Sequence, residues 1–454
     1  MVQSAVENLR KSIRGAALCP GQAGYDAARS VHNAMIDRRP AVIASCASPA
    51  DVIACVRVAR EQALLVSVRG GGHSIAGKAV CDGGLMIDLS NMKGIRVEPA
   101  TRTVRAEPGL TLGEFDRETQ EFGLATTMGT NSRTGIAGLT LGGGFGWLMG
   151  KYGLTCDNLI SVDVVTADGR LLTANATENE DLFWGMRGGG GNFGIVTSFE
   201  YQLHEVGPVL AGGVFYPPER VKEVLGFYRD FTSSRLPDEL TTYAYTLTMP
   251  GLGPVMGVGA CYCGSLTEGE QVLRPLRAFG SPLADLFGVT SYVQLQSGFD
   301  SFFPPGLHDY TKGNFIDVLS DEAIETFGEY AMAPSPNTTS SLEHLHGAVS
   351  RVDAADTAFA HRQHPYDFSI WSSWRDPADS EKNIKWTRNF WDAMRPFMVP
   401  GAYVNYLEAE GDPHAREAYG PNYDRLVALK NKYDPTNFFR MNHNIKPSQA
   451  TLGV

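Results

Sequence analysis

The first place in this 454-residue chain where residue types and spacing could do chemistry is a histidine that closes a glycine run, Arg69-Gly70-Gly71-Gly72-His73-Ser74. Consecutive glycines let backbone N–H groups approach a ligand closely, and such groups can hold a pyrophosphate without Lys or Arg. A neutral imidazole beside that loop is a competent nucleophile. Two further glycine blocks follow, from Gly129 to Gly153 and from Gly185 to Gly194. Neither is a dinucleotide-binding GxGxxG with an acid about 20 residues on, and neither is a phosphate-binding GxxxxGK[ST]. The 50 glycines are about 11% of the chain against a usual share of roughly 7%, and the excess sits in these runs.

Acid–base candidates lie later. Tyr403-Val404-Asn405-Tyr406 reads as a strand, with Tyr403 and Asn405 on one face and Tyr406 on the other. A phenol titrates near 10, so either tyrosine needs a nearby cation or a stabilising donor to act as a base. In Glu343-His344-Leu345-His346 the two histidines share a face of an extended chain and could line a site. They could also be structural, and no further ligands cluster in sequence to make them a metal pair. Tyr292, Leu295, Phe299, Phe302 and Phe303 are either a pocket wall or ordinary core.

The elements that must position these groups change character along the chain. An apolar run at 41–44 is followed by Ser48-Pro49-Ala50-Asp51, an N-cap with proline at the first helical position. Val52, Cys55, Val56, Ala59 and Ala63 continue at helical spacing, and a strand at 64–68 feeds the first glycine loop. Further strands are expected at 85–89, 94–98, 103–106, 161–166 and 171–174, with a helix opening near 110–115. After residue 207 aromatic strand-like segments take over, at 240–249, 255–262 and 368–374, with helices at 218–232 and 383–394. The pattern predicts an α+β fold whose second part is built on an antiparallel sheet.

Taken in order, the loop 69–74, the run 134–147, Lys151 to Leu159, Gly188 to Val196 and Tyr433 to Ile445 resemble the berberine-bridge-enzyme-like branch of the vanillyl-alcohol-oxidase flavoproteins. The resemblance spans nearly the whole chain. It implies a two-domain PCMH-type FAD-binding fold, with residues 1–207 plus 415–454 around the cofactor and 208–414 around the substrate. It implies FAD bound covalently through His73, by an 8α-histidyl bond. Cofactor contacts are expected from Arg69 to Ser74 and Gly77, from Gly129, Thr130, Thr134, Gly135, Gly138 and Leu139, and from Gly142, Gly143, Gly144 and Gly146. The same is expected of Asp157, Asn158 and Leu159, of Gly194, Ile195 and Val196, and of Asn442 and Asn444. Many relatives carry a second tether, a cysteine four residues before the glycine that here is Gly135. That place is Asn131, so one tether is expected, and Cys156 is expected to be a buried, inert thiol. The resemblance favours Tyr406 as the residue facing substrate, with Tyr403 second.

The implied activity is that of an FAD-linked oxidase taking a hydride from a small alcohol or amine, with molecular oxygen as acceptor and hydrogen peroxide as product. A secondary-metabolite tailoring oxidase or oxidative cyclase, or a sugar or oligosaccharide oxidase, is the alternative. The net charge of −11 argues against a broad nucleic-acid surface. No apolar run approaches 20 residues, so no membrane span is expected. Seven scattered cysteines without a CxxC pair, and a start that lacks a signal-like apolar core, suggest a cytoplasmic protein.

Overall fold

A computed structural model describes residues 2–408 and 413–448. Residues 449–454, the end of the expected cofactor-domain tail, lie outside the described residues. The fold is α+β, and among the described residues its strands form three large sheets and a two-stranded ribbon.

The first sheet holds the strands Ala16–Leu18, Val42–Ser45, Leu85–Asp88 and Val66–Arg69 in that order, the last three parallel. Helix Pro49–Glu61 links two of them. It starts as the sequence dictates, with Pro49 in the first turn and the Ser48 hydroxyl accepting the Asp51 N–H at 3.4 Å. The Asp51 carboxylate accepts three more N–H groups, from Arg14, Gly15 and Ala47, at 2.9 to 3.1 Å. One helix cap thereby ties the N-terminal segment to the sheet. Strand Val66–Arg69 then ends where the glycine loop begins.

The second sheet is antiparallel, with strands Ile95–Glu98, Thr103–Ala106, Ile195–Gln202, Leu159–Val165 and Leu171–Asn175 in spatial order. The third holds every strand from Val209 to Trp374 in eight antiparallel pieces. At its centre Leu240–Met249 pairs Thr339–His344, which pairs Tyr366–Trp374. Alternation along these strands decides the function of the two faces. Leu342, Phe368 and Ile370 point to one face and pack with Tyr228, Leu273, Phe327 and Phe390 from the covering helices. Tyr243, Tyr245, Ser341, Glu343, Ser369 and Trp371 take the other face and look back at the glycine loops.

The C-terminal segment is fastened from below. Helix Tyr423–Tyr433 places Lys430 with no exposed side-chain surface, and its ammonium donates to Asn192 O, Asp434 Oδ2 and Phe439 O at 2.7 to 2.8 Å. Burying an ammonium is tolerable only with its donors satisfied, as they are here. The Asn192 side chain in turn accepts the Ile445 N–H at 3.0 Å. No described helix is long and apolar enough to cross a membrane.

Residues 403–406 depart from the expected strand. Val404–Tyr406 is a single 3₁₀ turn entered from an extended Tyr403. The turn removes the two-face alternation, so Tyr403 and Tyr406 both reach the same cavity, their ring centroids 4.7 Å apart.

Candidate functional site

Between the glycine loops and the open face of the third sheet lies a cavity of about 390 Å³, within the range usual for small-molecule sites. Its loop side is made by close backbone approach. A Cβ on Gly71 would sit 2.6 Å from the N and Cα atoms of Gly135, so neither residue admits a side chain while the two loops touch. Gly72 has φ of +71°, a conformation that glycine adopts without strain. Beside it the His73 ring stacks on His32 at 3.9 Å, and His73 Nε2 is buried with no hydrogen-bond partner. Burial pushes His73 down to about 3, helped by His32, so the ring is a neutral imidazole at physiological pH.

Most of the residues expected to meet the cofactor line this cavity. Gly70 to Ser74, Gly129, Thr130, Thr134, Gly135, Gly138, Leu139 and Gly142 form one side, with Gly194, Ile195, Val196 and Asn442 further along. Others lie off the wall, each with a different task. Asp157 accepts the Leu154 N–H at 2.8 Å and both guanidinium nitrogens of the fully buried Arg362 at 2.6 and 2.7 Å. Asn158 donates to Tyr152 O and Leu154 O, and Leu159 packs in the core. These three hold the turn rather than the cavity. Arg69 points away, donating to Ala28 O. Gly77, Gly143, Gly144 and Gly146 serve close packing: a Cβ there would strike Ile36, Phe359, Thr155 and Met128 respectively. Asn444 is also absent from the wall, although its Oδ1 is buried without a partner. Cys156 is fully buried, and burial pushes its thiol above the usual range.

The substrate-side expectations need more correction. Strand Thr339–His344 turns Ser341 and Glu343 to the cavity, which sends His344 to the opposite face. There it stacks on His346 at 4.8 Å and tilts against Tyr366. His346 lies past the strand end, its Nε2 2.6 Å from Leu240 O. Neither histidine reaches the cavity. Tyr292 and Leu295 pack into the apolar cluster behind the wall, as does Phe302, whereas Phe299 and Phe303 reach it. The residue of the 343–346 segment that does reach it is Glu343, next to His344. The sequence carries the signal, since the apolar Leu342 marks the helix-covered face and places Glu343 opposite it.

Glu343 is 7% exposed, and the Tyr406 hydroxyl donates to its Oε1 at 3.0 Å. Burial raises this carboxyl to about 7, against the lowering effect of the Tyr406 bond. Tyr406 itself is pushed well above 10 by burial, and the nearby carboxyls Glu343 and Asp367 push the same way. The cation that a tyrosinate base would need is replaced by two acids, so Tyr406 stays a phenol. Tyr403 is engaged elsewhere: its hydroxyl oxygen accepts Gly144 N–H at 3.1 Å, Phe145 N–H at 3.4 Å and Asn405 Nδ2 at 2.8 Å. It braces the second glycine run, with its ring stacked on Phe145 at 4.0 Å.

Comparison with known proteins agrees with this geometry. Residues 40–175 match the family described as FAD binding domain, and residues 402–446 match the one described as berberine and berberine like. An FAD-linked oxidoreductase of Dictyostelium discoideum is 36% identical over 88% of this chain and 87% of its own. The (R)-6-hydroxynicotine oxidase of Paenarthrobacter nicotinovorans is 31% identical over 96% of this chain and 97% of its own. The solved structure of a BBE-like protein from Physcomitrella patens superposes with a TM-score of 0.89 at 25% identity, covering 99% of both chains. The protein therefore belongs to the berberine-bridge-enzyme-like FAD-linked oxidoreductases of the vanillyl-alcohol-oxidase superfamily, and it is an enzyme.

The cavity suits FAD. Glycine backbones line the loop side, and polar atoms on the wall lack partners within the protein: His73 Nε2, Asn131 Nδ2, Tyr243 OH and Asn442 Oδ1. Buried polar atoms are normally hydrogen-bonded, so unpartnered ones lining one cavity mark where a ligand's donors and acceptors would go.

Proposed function

We propose that the enzyme oxidises a small, largely apolar alcohol or amine, using FAD tethered covalently through His73, with oxygen as acceptor and hydrogen peroxide as product. The observation that carries the reading is the sheet wall. Tyr243, Tyr245, Phe299, Phe303 and Trp371 present aromatic surface, and one carboxyl–phenol pair, Glu343–Tyr406, is set into it. Such a surface suits an aromatic or aliphatic body bearing one polar group better than a sugar, whose many hydroxyls would need many partners. The name of the Paenarthrobacter relative, an oxidase of 6-hydroxynicotine, supports a small-molecule substrate.

When bound, FAD supplies the hydride acceptor and the route for electrons to oxygen. The chain supplies the rest. Aromatic side chains orient the substrate and exclude water. Glu343, with a carboxyl near neutrality, takes the proton of the substrate hydroxyl or amine, directly or through the Tyr406 hydroxyl. His73, neutral and with a free Nε2, is the nucleophile for the tether.

The test is anaerobic flavin bleaching, with peroxide release on readmitting air, for benzyl alcohol, benzylamine, 6-hydroxynicotine and cellobiose. Bleaching by one of the aromatic compounds, with cellobiose inert, is expected. Bleaching by cellobiose alone, or by none of the four, overturns the reading.

A further inference from the structure

Asp367 has no exposed surface, and neither of its carboxyl oxygens has a hydrogen-bond partner. It lies directly across from Glu343 in the antiparallel register of Thr339–His344 with Tyr366–Trp374. Opposed residues in such a pair share a face and bring their Cβ atoms to about 4.5–5.5 Å. The same row continues through Tyr243, opposite Glu343 on the other side, and Phe315, opposite Asp367. Two carboxyls thus stand side by side beneath the aromatic wall, with only Glu343 reaching the cavity.

The titratable groups that interact with the pair are phenols. Tyr406 donates to Glu343, Tyr243 and Tyr403 lie near it on the cavity side, and Tyr228 feels its charge from the helix-covered face. Neither carboxyl has an ion-pair partner among the described residues. Two buried carboxylates this close, with no cation between them, cannot both be ionised. Burying even one unpaired acid is costly, which makes a second one beside it difficult to explain as packing.

We propose that Asp367 is a positioning residue for the oxidation: it shares one proton with Glu343, so that the pair carries a single negative charge and Glu343 presents it to Tyr406 and the substrate. The inference rests on the reading of Glu343 as the proton acceptor. Asp367 keeps the proton, which gives its unpartnered carboxyl a donor to offer Glu343 across the strand pair. As a hydride leaves the substrate carbon, the proton of the substrate O–H or N–H enters the pair, which becomes a neutral pair of carboxylic acids. One proton then leaves before the next turnover and is accounted for in the hydrogen peroxide that oxygen forms with the hydride. The direction of the titration agrees: burial, then the Glu343 charge, pushes Asp367 far above the carboxylate range, while Glu343 sits near 7. As the two groups titrate together, that lower value belongs to the first proton lost by the pair.

Infrared difference spectroscopy of the holoenzyme between pH 5 and 9 tests the shared proton without any substrate. The expected result is a protonated-carboxyl band that persists at pH 8 in the wild type and in Glu343→Gln, and is lost in Asp367→Asn and Asp367→Leu. Absence of the band from the wild type at pH 8 overturns the proposal. The kinetic arm is anaerobic flavin reduction by the fastest compound of the panel above. Asp367→Leu removes the donor and moves the acid limb of the rate up by about one pH unit, whereas Asp367→Asn, which retains an N–H donor, moves it less. A purely structural role would lower flavin content or thermal midpoint in both variants and leave the acid limb in place, and that outcome also overturns the proposal. If Glu343→Gln reduces flavin as fast as the wild type, the reading of Glu343 fails instead, and the infrared band still decides whether Asp367 holds its proton.

Discussion

The imidazole rings of His32 and His73 stack at 3.9 Å with an interplanar angle of 23°, and burial holds both neutral, His32 down to about 4 and His73 to about 3. His32 is itself held, its backbone N–H donating to Gly72 O at 3.0 Å and its Nε2 lying 3.7 Å from the buried Asp309 carboxyl. The stack orients the ring of the proposed nucleophile, while burial, helped by His32, sets its reactive protonation state. Acid-precipitated protein is expected to retain yellow colour in the pellet, and His73→Ala to release it. During reconstitution with FAD the extent of attachment should be level from pH 8 to pH 5. An ordinary histidine, titrating near 6.5, would lose about 30-fold of its neutral form over that range. A steep loss between pH 7 and pH 5.5 would show that the stack does not control the ring.

Glu343 accepts a proton only as the carboxylate. With its value raised to about 7, the rate of flavin reduction should climb as pH rises through 7 and fall below it. Glu343→Gln is expected to lower that rate by about 10²–10⁴-fold and to abolish the acid limb. Tyr406→Phe removes the hydroxyl that donates to Oε1 and should cost less, because the carboxylate remains. Stopped-flow reduction across pH 5 to 9 checks all three. A Glu343→Gln variant with an intact acid limb would move the titrating group elsewhere.

How far the sequence was legible depended on what each residue answers to. The helix cap at Ser48, the strand feeding the loop at 69–74 and the glycine-lined cavity follow from local rules, and the structure has them where those rules put them. Asp157 and Asn158 are less legible, because a short polar side chain next to glycines serves turn capping as readily as ligand binding, and Arg362, the partner of Asp157, is 205 residues away. The tyrosine segment misled for another reason. The bonds that hold the 3₁₀ turn, from Gly144 and Phe145 to Tyr403, from Asn405 to Leu139 O and from Thr311 to Tyr406 O, are tertiary. His344 follows strand alternation rather than its residue type: next to the cavity-facing Glu343, it takes the other face.

Gly71→Ala is expected to be far more damaging than its one added methyl suggests. The Cβ would lie 2.6 Å from backbone atoms of Gly135, which has no flexible side chain to yield. Separating the loops moves both cavity walls at once. The variant should bind flavin poorly while keeping the antiparallel sheet, visible as a normal far-ultraviolet dichroism spectrum with a reduced ratio of flavin to protein absorbance. Gly226→Ala, in the helix Val221–Thr232 and off the cavity wall, is the control, because a Cβ there meets nothing within 4 Å. Equal flavin content in the two variants would mean that the loop contact is dispensable.

Asp157→Ala separates stability from chemistry. The Arg362 side chain is wholly buried, and Asp157 is its only carboxylate partner among the described residues, bonded through both oxygens. Removing one member of a buried pair leaves an uncompensated charge and costs about 3–5 kcal/mol. Arg362 also donates to the Thr357 hydroxyl at 2.7 Å and to Phe359 O at 3.2 Å, so the loss should loosen the 357–362 segment as well. Neither Asp157 nor Arg362 lines the cavity. The denaturant midpoint should therefore fall clearly while flavin reduction per bound flavin stays unchanged. If the per-flavin rate falls with the midpoint, Asp157 has a part in the reaction that its place behind the wall does not suggest, and the expectation of a cofactor contact there returns.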